Sequence, residues 1–201
     1  MIITLTSFKG GTGKTTSAIH IAAYFSQFSD VLLVDGDPNR SSLGWSERGE
    51  LPFKVCDEKA ALKHSSKYEN IVVDTKAFPE PEDLKALAEG CDLLIIPSTP
   101  DALSLDSLMK IVDVLDEIND VNYGVLLTRI PPKPRRDGEE ARKLLDEAEI
   151  PIFSSQIREA VAFQKASLKG CLVSKSGDSR GKSCWGDNNK LGDEIRNEFG
   201  E

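Results

Sequence analysis

Short, continuous apolar runs alternate along the chain with longer stretches in which apolar residues recur at helical spacing. The first run spans residues 2–7, and the stretch over 14–27 places its apolar residues on one helix face. Four more runs follow, VLLVD at 31–35, NIVVD at 70–74, DLLIIP at 92–97 and YGVLLT at 123–128. Continuous apolar runs of this length are typical of parallel strands that helices cover on both faces.

Helical segments are predicted between these runs, at about 80–90, 101–118 and 137–148. The alternation predicts an α/β fold, in which a mostly parallel, twisted sheet carries helices on both faces. A chain of 201 residues has room for one such domain, which we expect to span residues 1–201. Functional loops should then gather at the carboxyl ends of the strands.

Two polar segments interrupt the pattern in the second half of the chain. The proline-rich stretch at 131–140 is typical of a surface loop that leads into a helix. From about 174 to 189 the chain is rich in Gly, Ser, Asp and Lys and loses its periodicity. This composition predicts a mobile loop before a short final helix.

The composition is that of a folded globular protein, with 29% charged and 39% hydrophobic residues. The formal net charge of −8 argues against a uniformly basic nucleic-acid-binding protein but leaves room for a local basic patch. Four cysteines are scattered without metal-ligand spacing, as expected for inert thiols in a reducing compartment. No signal peptide is visible and no apolar run approaches the ~18 residues that span a bilayer, so a cytoplasmic location is expected.

A glycine-rich segment, KGGTGKTT at 9–16, stands between the first strand and the first helix. Its glycines let successive backbone N–H groups turn towards a phosphate, and the helix N-terminus adds partial positive charge. Lys14 would reach the β- and γ-phosphates of a nucleotide, and the Thr15 hydroxyl would help to hold Mg²⁺. The pattern G-x-x-x-x-G-K-[ST] is missed only at Phe8, where its first glycine belongs. The predicted nucleotide-binding residues of this P-loop are Lys9, Gly10, Gly11, Thr12, Gly13, Lys14, Thr15 and Thr16.

Three carboxylates come at the ends of predicted strands, where they would lie beside this loop. Asp35 and Asp37 end the second run, and a carboxylate there can hold or orient a water for attack on the γ-phosphate. The alternative for this D-G-D-P segment is a plain Asp/Gly/Pro turn. Asp74 ends another apolar run, and a buried carboxylate needs a cation, which Mg²⁺ with its waters would supply.

The segment KGGTGKTT resembles the deviant Walker A loop of the ParA/MinD group of ATPases, in which the early lysine is the signature. The resemblance extends to DGDPNRSSLGW at 35–45, to IVVDT at 71–75 and, more weakly, to IREAVAFQKASLKGCLV at 157–173. It implies a ParA-like P-loop NTPase domain that binds ATP and Mg²⁺ and forms a homodimer around ATP. Lys9 would then cross to the partner's nucleotide and act in catalysis together with Lys14 and Asp37.

The resemblance also implies roles for individual residues. Asp37 would position the attacking water, and Asp35 would support the magnesium shell formed with Thr15 and Asp74. The chain departs from the family after Asp74, where many members have a Pro- or Gly-containing switch and this chain reads TKAF.

The resemblance implies that the base lies near a late strand. Thr128 and Arg129, at the end of that strand, and the segment 151–158 would flank the adenine. The absence of an N-K-x-D sequence favours ATP over GTP.

What such a dimer binds is left open by the sequence. The first hypothesis is non-specific DNA of the nucleoid, bound only in the ATP state by basic residues near the C-terminus. The cargo would be a plasmid, a chromosome or a large assembly such as a carboxysome, and a ParB-like or adaptor protein would stimulate hydrolysis. The predicted DNA-binding residues are Arg158, Lys165, Lys169, Lys175, Arg180 and Lys182.

Two alternatives remain for the function. A MinD-like membrane switch would need a C-terminal amphipathic helix, but residues 190–201 are acidic and carry few large apolar side chains, so a membrane partner is not expected. A metabolic P-loop ligase or kinase, similar to dethiobiotin synthetase, would need a substrate pocket of its own and would give Lys9 no role in a partner subunit. Dimerisation with ATP alone would distinguish these classes.

Overall fold

The computed structural model describes residues 1–118 and 120–200. Six strands form one sheet in the order β3-β2-β4-β1-β5-β6, and all five strand pairs are parallel. The strands are β1 Ile2–Ser7, β2 Val31–Gly36, β3 Lys54–Asp57, β4 Asn70–Ala77, β5 Leu93–Ser98 and β6 Tyr123–Leu127. The predicted α/β fold is therefore confirmed.

Eight α-helices within the described residues cover this sheet. They are α1 Lys14–Phe25, α2 Ser41–Glu47, α3 Glu58–His64, α4 Pro81–Glu89, α5 Ala102–Leu115, α6 Asp137–Glu147, α7 Val161–Lys169 and α8 Gly181–Phe199. One face of the sheet packs on a core formed with α1, α2, α7 and α8, and the other packs on α4, α5 and α6.

The continuous apolar runs are explained by this two-sided packing. Along β5, Leu94 and Ile96 belong to the core on one face, while Ile95 belongs to the core on the other. Successive side chains of a strand point to opposite faces, so a strand that is covered on both needs an apolar residue at every position.

Several short elements have no sequence pattern that would predict them. The edge strand β3 has only four residues, and Lys54 at its start is exposed, so it carries no continuous apolar run. Helices α2 and α3 have seven residues each, too few to show a helical period. The segment 151–158 runs beside β6 with isolated parallel bridges at Ile152 and Arg158 rather than as a full strand.

The prediction of a mobile loop over 174–189 is wrong. Helix α8 begins at Gly181 and continues for 19 residues to Phe199, packed against α1. Its buried face includes Cys184, Asn188, Leu191 and Ile195, at the spacing of a helix. The helical pattern of apolar residues is interrupted because the polar Asn188 occupies one of these buried positions. Its side chain donates a 2.8 Å hydrogen bond to the Cys184 carbonyl.

The strand register brings the predicted acidic residues together at the carboxyl edge of the sheet. Asp35 on β2 lies opposite Asp74 on β4, and Asp74 lies opposite Leu5 on β1, just before the glycine-rich loop. Across 1–118 and 120–200, no helix has both the length and the apolar character that crossing a membrane requires.

Candidate functional site

The glycine-rich loop leaves the end of β1 and enters α1 at Lys14. Gly11 and Gly13 have φ angles of 81° and 90°, in the left-handed region that side chains with a Cβ rarely adopt. Below the loop, the buried Thr128 hydroxyl donates a 2.6 Å hydrogen bond to the Thr12 carbonyl. The loop is thus held in a shape whose amides, with the α1 N-terminus, suit a phosphate group.

The side chain of Lys14 is buried at the base of this loop. Its Nζ donates a 3.1 Å hydrogen bond to Ser7 Oγ. Burial lowers the pKa of Lys14, and the nearby carboxylates of Asp74 and Asp37 oppose that shift. A buried ammonium group is stabilised by an anionic phosphate beside it, which is consistent with the predicted contact of Lys14 with the β- and γ-phosphates.

Asp74 is completely buried beside Lys14. Its Oδ2 accepts a 2.8 Å hydrogen bond from Ser42 Oγ, whereas its Oδ1 has no hydrogen-bond partner among the described residues. Burial raises the pKa of Asp74 to about 6, although the Ser42 hydrogen bond and the nearby Thr15 hydroxyl act to lower it. A buried carboxylate oxygen without a partner, close to the Thr15 hydroxyl, fits a hydrated Mg²⁺ held jointly with nucleotide phosphates.

The donor set is also of the right kind for magnesium. Among the described residues, no group of three or more His, Cys, Asp or Glu side chains forms a ready-made metal site. Mg²⁺ keeps several waters and is usually held by one or two carboxylates together with phosphates, so a closed protein cage is not needed. When bound, Mg²⁺ would supply positive charge for the phosphates.

Asp35 organises the turn between β2 and α2. Its Oδ1 accepts a 3.1 Å hydrogen bond from the Asp37 amide, and its Oδ2 accepts a 2.8 Å bond from the Leu43 amide. Asp37 in turn accepts 2.8 Å and 2.9 Å bonds from the backbone and side chain of Asn39. Asp37 lines the same cleft as the loop, and Asp35 lies opposite Asp74 on the neighbouring strand. Their roles with water and magnesium remain predictions.

A cleft of about 1590 Å³ opens over the loop. Asp37, Arg129 and the side of α7 contribute to its walls. The Arg129 guanidinium lies 3.4 Å from the Gly11 carbonyl and 3.1 Å from Glu159. Thr128 and Arg129 are the two residues predicted to flank the adenine. The Thr128 hydroxyl is hydrogen-bonded to the loop backbone, whereas the Arg129 side chain is exposed at the cleft. Their contact with a base remains a prediction.

The segment after Asp74, which departs from the ParA/MinD pattern, extends β4 alongside the loop. The Thr75 hydroxyl donates a 2.8 Å hydrogen bond to the Leu5 carbonyl, and the Phe78 amide donates a 3.0 Å bond to the Ser7 carbonyl. Lys76 pairs with Asp83 on α4. The segment is thus hydrogen-bonded to the last residues of β1, which lead into the glycine-rich loop.

Lys9 points away from the base of the loop, towards the N-terminus of α5. Its Nζ lies 2.8 Å from Asp101 Oδ1 and 2.8 Å from Ser104 Oγ. Burial would raise the pKa of Asp101, but hydrogen bonds from Lys9, Thr99 and Ser104 outweigh it and hold that pKa well below its usual range. Neither Asp101 nor Ser104 was identified from the sequence, because they lie more than 90 residues from Lys9 along the chain.

The six predicted DNA-binding residues lie on or near α7 and the start of α8, and several are paired. Arg158 donates to Asp187 at 2.5 Å and 2.7 Å. Asp178 lies 2.8 Å from Lys165 Nζ and 3.8 Å from Arg180 Nε. Among the described residues, Lys169, Lys175 and Lys182 form no ion pair; Lys169 Nζ instead donates to the Ser176 carbonyl at 2.8 Å. The patch is therefore partly neutralised by two aspartates that the sequence analysis left out.

His20 connects α1 to the C-terminal part of the chain. It is fully buried, and burial lowers its pKa to about 4, so the ring is neutral. Nδ1 donates to the Thr16 carbonyl at 2.7 Å, and Nε2 accepts a 3.0 Å bond from the Val173 amide. The ring is structural, and it joins the first turn of α1 to the segment that follows α7.

Comparison with known proteins identifies a family for this architecture. Residues 3–173 match the model described as the CobQ/CobB/MinD/ParA nucleotide binding domain. The maintenance of carboxysome distribution protein A of Gloeobacter kilaueensis is 31% identical over 201 residues, which cover 96% of this chain and 93% of that protein.

Solved structures of the same fold agree with this match. Apo McdA from Cyanothece has a TM-score of 0.73 at 18% identity and covers 94% of this chain and 98% of its own. MinD from Pyrococcus horikoshii, complexed with Mg-ADP, has a TM-score of 0.70 at 20% identity and covers 96% of this chain and 95% of its own. The chain has the fold of the ParA/MinD P-loop NTPases.

Asp74→Asn tests the raised pKa of this buried carboxyl. A raised pKa means that the charged form opposes folding, and this penalty grows as the pH rises from about 4 to about 6. We expect the variant, without nucleotide, to be more stable than the parent at pH 8 by up to about 3 kcal/mol, and the difference to become small near pH 4. Denaturant unfolding in EDTA at both pH values measures it. An equal stability difference between variant and parent at pH 4 and at pH 8 would contradict a raised pKa of Asp74.

Proposed function

Because the chain belongs to the CobQ/CobB/MinD/ParA family of nucleotide-binding domains, we propose that it is a Mg²⁺-dependent ATPase that dimerises with ATP and positions a cargo. The observation that carries the proposal is the pair of lysines in one loop. Lys14 is buried beside Asp74, whereas the Lys9 side chain is a third exposed and is held by an ion pair with Asp101. An exposed ion pair contributes little free energy, so Lys9 is available for another phosphate.

The chemistry at the site would be in-line attack of water on the γ-phosphate. Lys14 and the loop amides would hold the β- and γ-phosphates, and Asp37 would orient the water. Asp74 and Thr15 would hold Mg²⁺, with Asp35 keeping the turn beside them in place. Lys9 would complete the site of the partner subunit. Hydrolysis would be slow until an adaptor protein stimulates it.

The dimer would bind DNA without sequence preference through Arg158, Lys165, Lys169, Lys175, Arg180 and Lys182, and so associate with the nucleoid in the cytoplasm. One subunit offers few cations against a net charge of −8, and two of its aspartates already occupy part of them. Two subunits would double the number of phosphate contacts. DNA affinity rises steeply with that number, so dimerisation would act as the switch.

The cargo we favour is a carboxysome or a comparable large assembly. The support is the similarity over 96% of the chain to a protein named for the maintenance of carboxysome distribution. Partition of a plasmid or chromosome is the second candidate within the same class of motor.

Two other functions fit less well. For a MinD-like membrane switch, α8 would need an apolar face of its own. Leu191 and Ile195 are instead fully buried in the core, and Phe199 packs against it. A metabolic ligase or kinase would leave Lys9 without a phosphate to bind and would not dimerise on ATP alone.

Lys9→Ala tests the proposed action across the dimer. The substitution removes a side chain that lies outside the base of the loop, so we expect the affinity for ATP to change by less than about threefold. The ATP-dependent dimer should be lost, because the partner's phosphates lose a cation. Sedimentation with ATP and with ADP measures this. The matched control is Lys85→Ala, which also removes a surface lysine paired with a carboxylate, Glu117. A parent-like dimer in Lys9→Ala would exclude the role.

Asp178→Asn tests the DNA hypothesis, using titration of duplex DNA with ATP, with ADP and without nucleotide. The parent should bind only with ATP. Removing the Asp178 charge releases Lys165 and Arg180 for phosphates, so affinity should rise and the log–log salt slope should steepen by roughly 0.9 per added contact. Asp146→Asn makes the same change in net charge on α6, away from these residues, and should have little effect. Equal effects of the two variants, or no binding by the parent with ATP, would contradict the hypothesis.

A further inference from the structure

Helix α2 has one end at the phosphate site. The Ser42 hydroxyl, itself fully buried, donates the 2.8 Å hydrogen bond to Asp74 Oδ2. The next amide, that of Leu43, donates to Asp35 on the neighbouring strand. The first turn of α2 is thus bonded to the carboxylates of Asp35 on β2 and Asp74 on β4.

The other end of α2 contacts α7 directly. Arg48, the residue after the helix, donates from Nε to the Ser167 carbonyl at 2.7 Å, and Nη2 lies 3.3 Å from Ser167 Oγ. Trp45 donates from its indole nitrogen to the Cys171 carbonyl at 3.1 Å. These bonds attach α2 to the last turn of α7 and to the residues that follow it.

The segment after α2 and the segment after α7 also approach each other backbone to backbone. A Cβ at Gly49 would lie 2.5 Å from the Lys169 carbonyl oxygen and 2.7 Å from that of Gly170. A Cβ at Gly170 would collide with the backbone of Arg48 and Gly49. Only glycine permits so close an approach, and a contact without side chains between has little room to absorb a displacement.

We propose that α2 couples the phosphate site to α7, with Ser42 as the positioning residue at one end and Arg48 at the other. The inference rests on the ATP switch proposed above. A change in the position of the Asp74 carboxylate on nucleotide binding moves the Ser42 hydroxyl and the first turn of α2 with it. The helix is short, about 10 Å long at 1.5 Å per residue, and it moves as a rigid body. Its far end displaces α7, the helix that carries Lys165 and Lys169.

The coupling gives a physical role to a part of the chain that neither binds phosphate nor carries the basic residues. It also supplies a path for the nucleotide state that does not run through the unusual segment after Asp74. That segment is bonded to β1 and to α4, and no hydrogen bond among residues 1–118 and 120–200 joins it to α7. The path through α2 is continuous from Asp74 to the Ser167 carbonyl.

Amide hydrogen exchange of residues 166–172 tests the coupling. The Gly170 and Cys171 amides there bond to the carbonyls of Ser167 and Ala166. We expect exchange in the parent to differ between saturating Mg²⁺ with a non-hydrolysable ATP analogue and saturating Mg-ADP. In Ser42→Ala and in Arg48→Ala this difference should fall by about half or more. Saturating nucleotide removes any effect of altered affinity.

The matched control is Ser46→Ala, the same change on the same helix. The Ser46 hydroxyl donates to the Leu43 carbonyl of its own helix, so the exchange difference should stay at the parent level. If Ser42→Ala does not fold, Arg48→Ala decides alone, because Arg48 is exposed. No exchange difference in a nucleotide-bound parent, or a parent-like difference in Arg48→Ala, would overturn the coupling. Failure of the parent to bind nucleotide would instead overturn the proposed function.

Discussion

The carboxylate of Asp74 is completely buried at the carboxyl edge of the sheet, and only one of its oxygens has a hydrogen-bond partner among the described residues. Burial of a charge with incomplete compensation costs free energy, which the rest of the fold has to supply. The neighbouring polar residues of the site are arranged around this carboxylate. Ser42 fixes Oδ2, Thr15 lies at the start of α1, and Lys14 is held nearby by Ser7. A hydrated magnesium ion with a nucleotide would complete the charge balance.

The parallel sheet is what brings these groups together. Strands β1, β2 and β4 are adjacent, so the glycine-rich loop, Asp35 and Asp74 come to one edge although up to 65 residues separate them along the chain. The same edge also carries the N-terminal turns of α2 and α5, and each holds a side chain of the site in place. Ser42 on α2 contacts Asp74, and Asp101 at the start of α5 contacts Lys9. The helices thus position charged groups as well as cover the core.

Local patterns in the sequence were sufficient for the sheet, the loop and the acidic residues at its edge. They predicted five of the six strands, because a strand covered on both faces is apolar along most of its length, and they predicted that the glycines let the loop turn towards a phosphate. They failed for α8, where Asn188 takes a core position through a hydrogen bond to Cys184. They also failed for Ser42, Asp101 and Asp178, whose importance lies in contacts with distant residues. A serine or an aspartate in isolation carries no sign of such a partner.

The affinity of the parent and of Lys14→Ala for Mg-ATP, measured by calorimetry, tests the central claim that this buried charged site binds a nucleotide. We expect the parent to bind and Lys14→Ala to bind at least ~100-fold more weakly, because a charge-assisted contact to the phosphates is lost in a buried setting. Lys59→Ala, which removes an exposed lysine on α3, serves as the control. Binding of Mg-ATP by Lys14→Ala as tight as that of the parent would contradict the account.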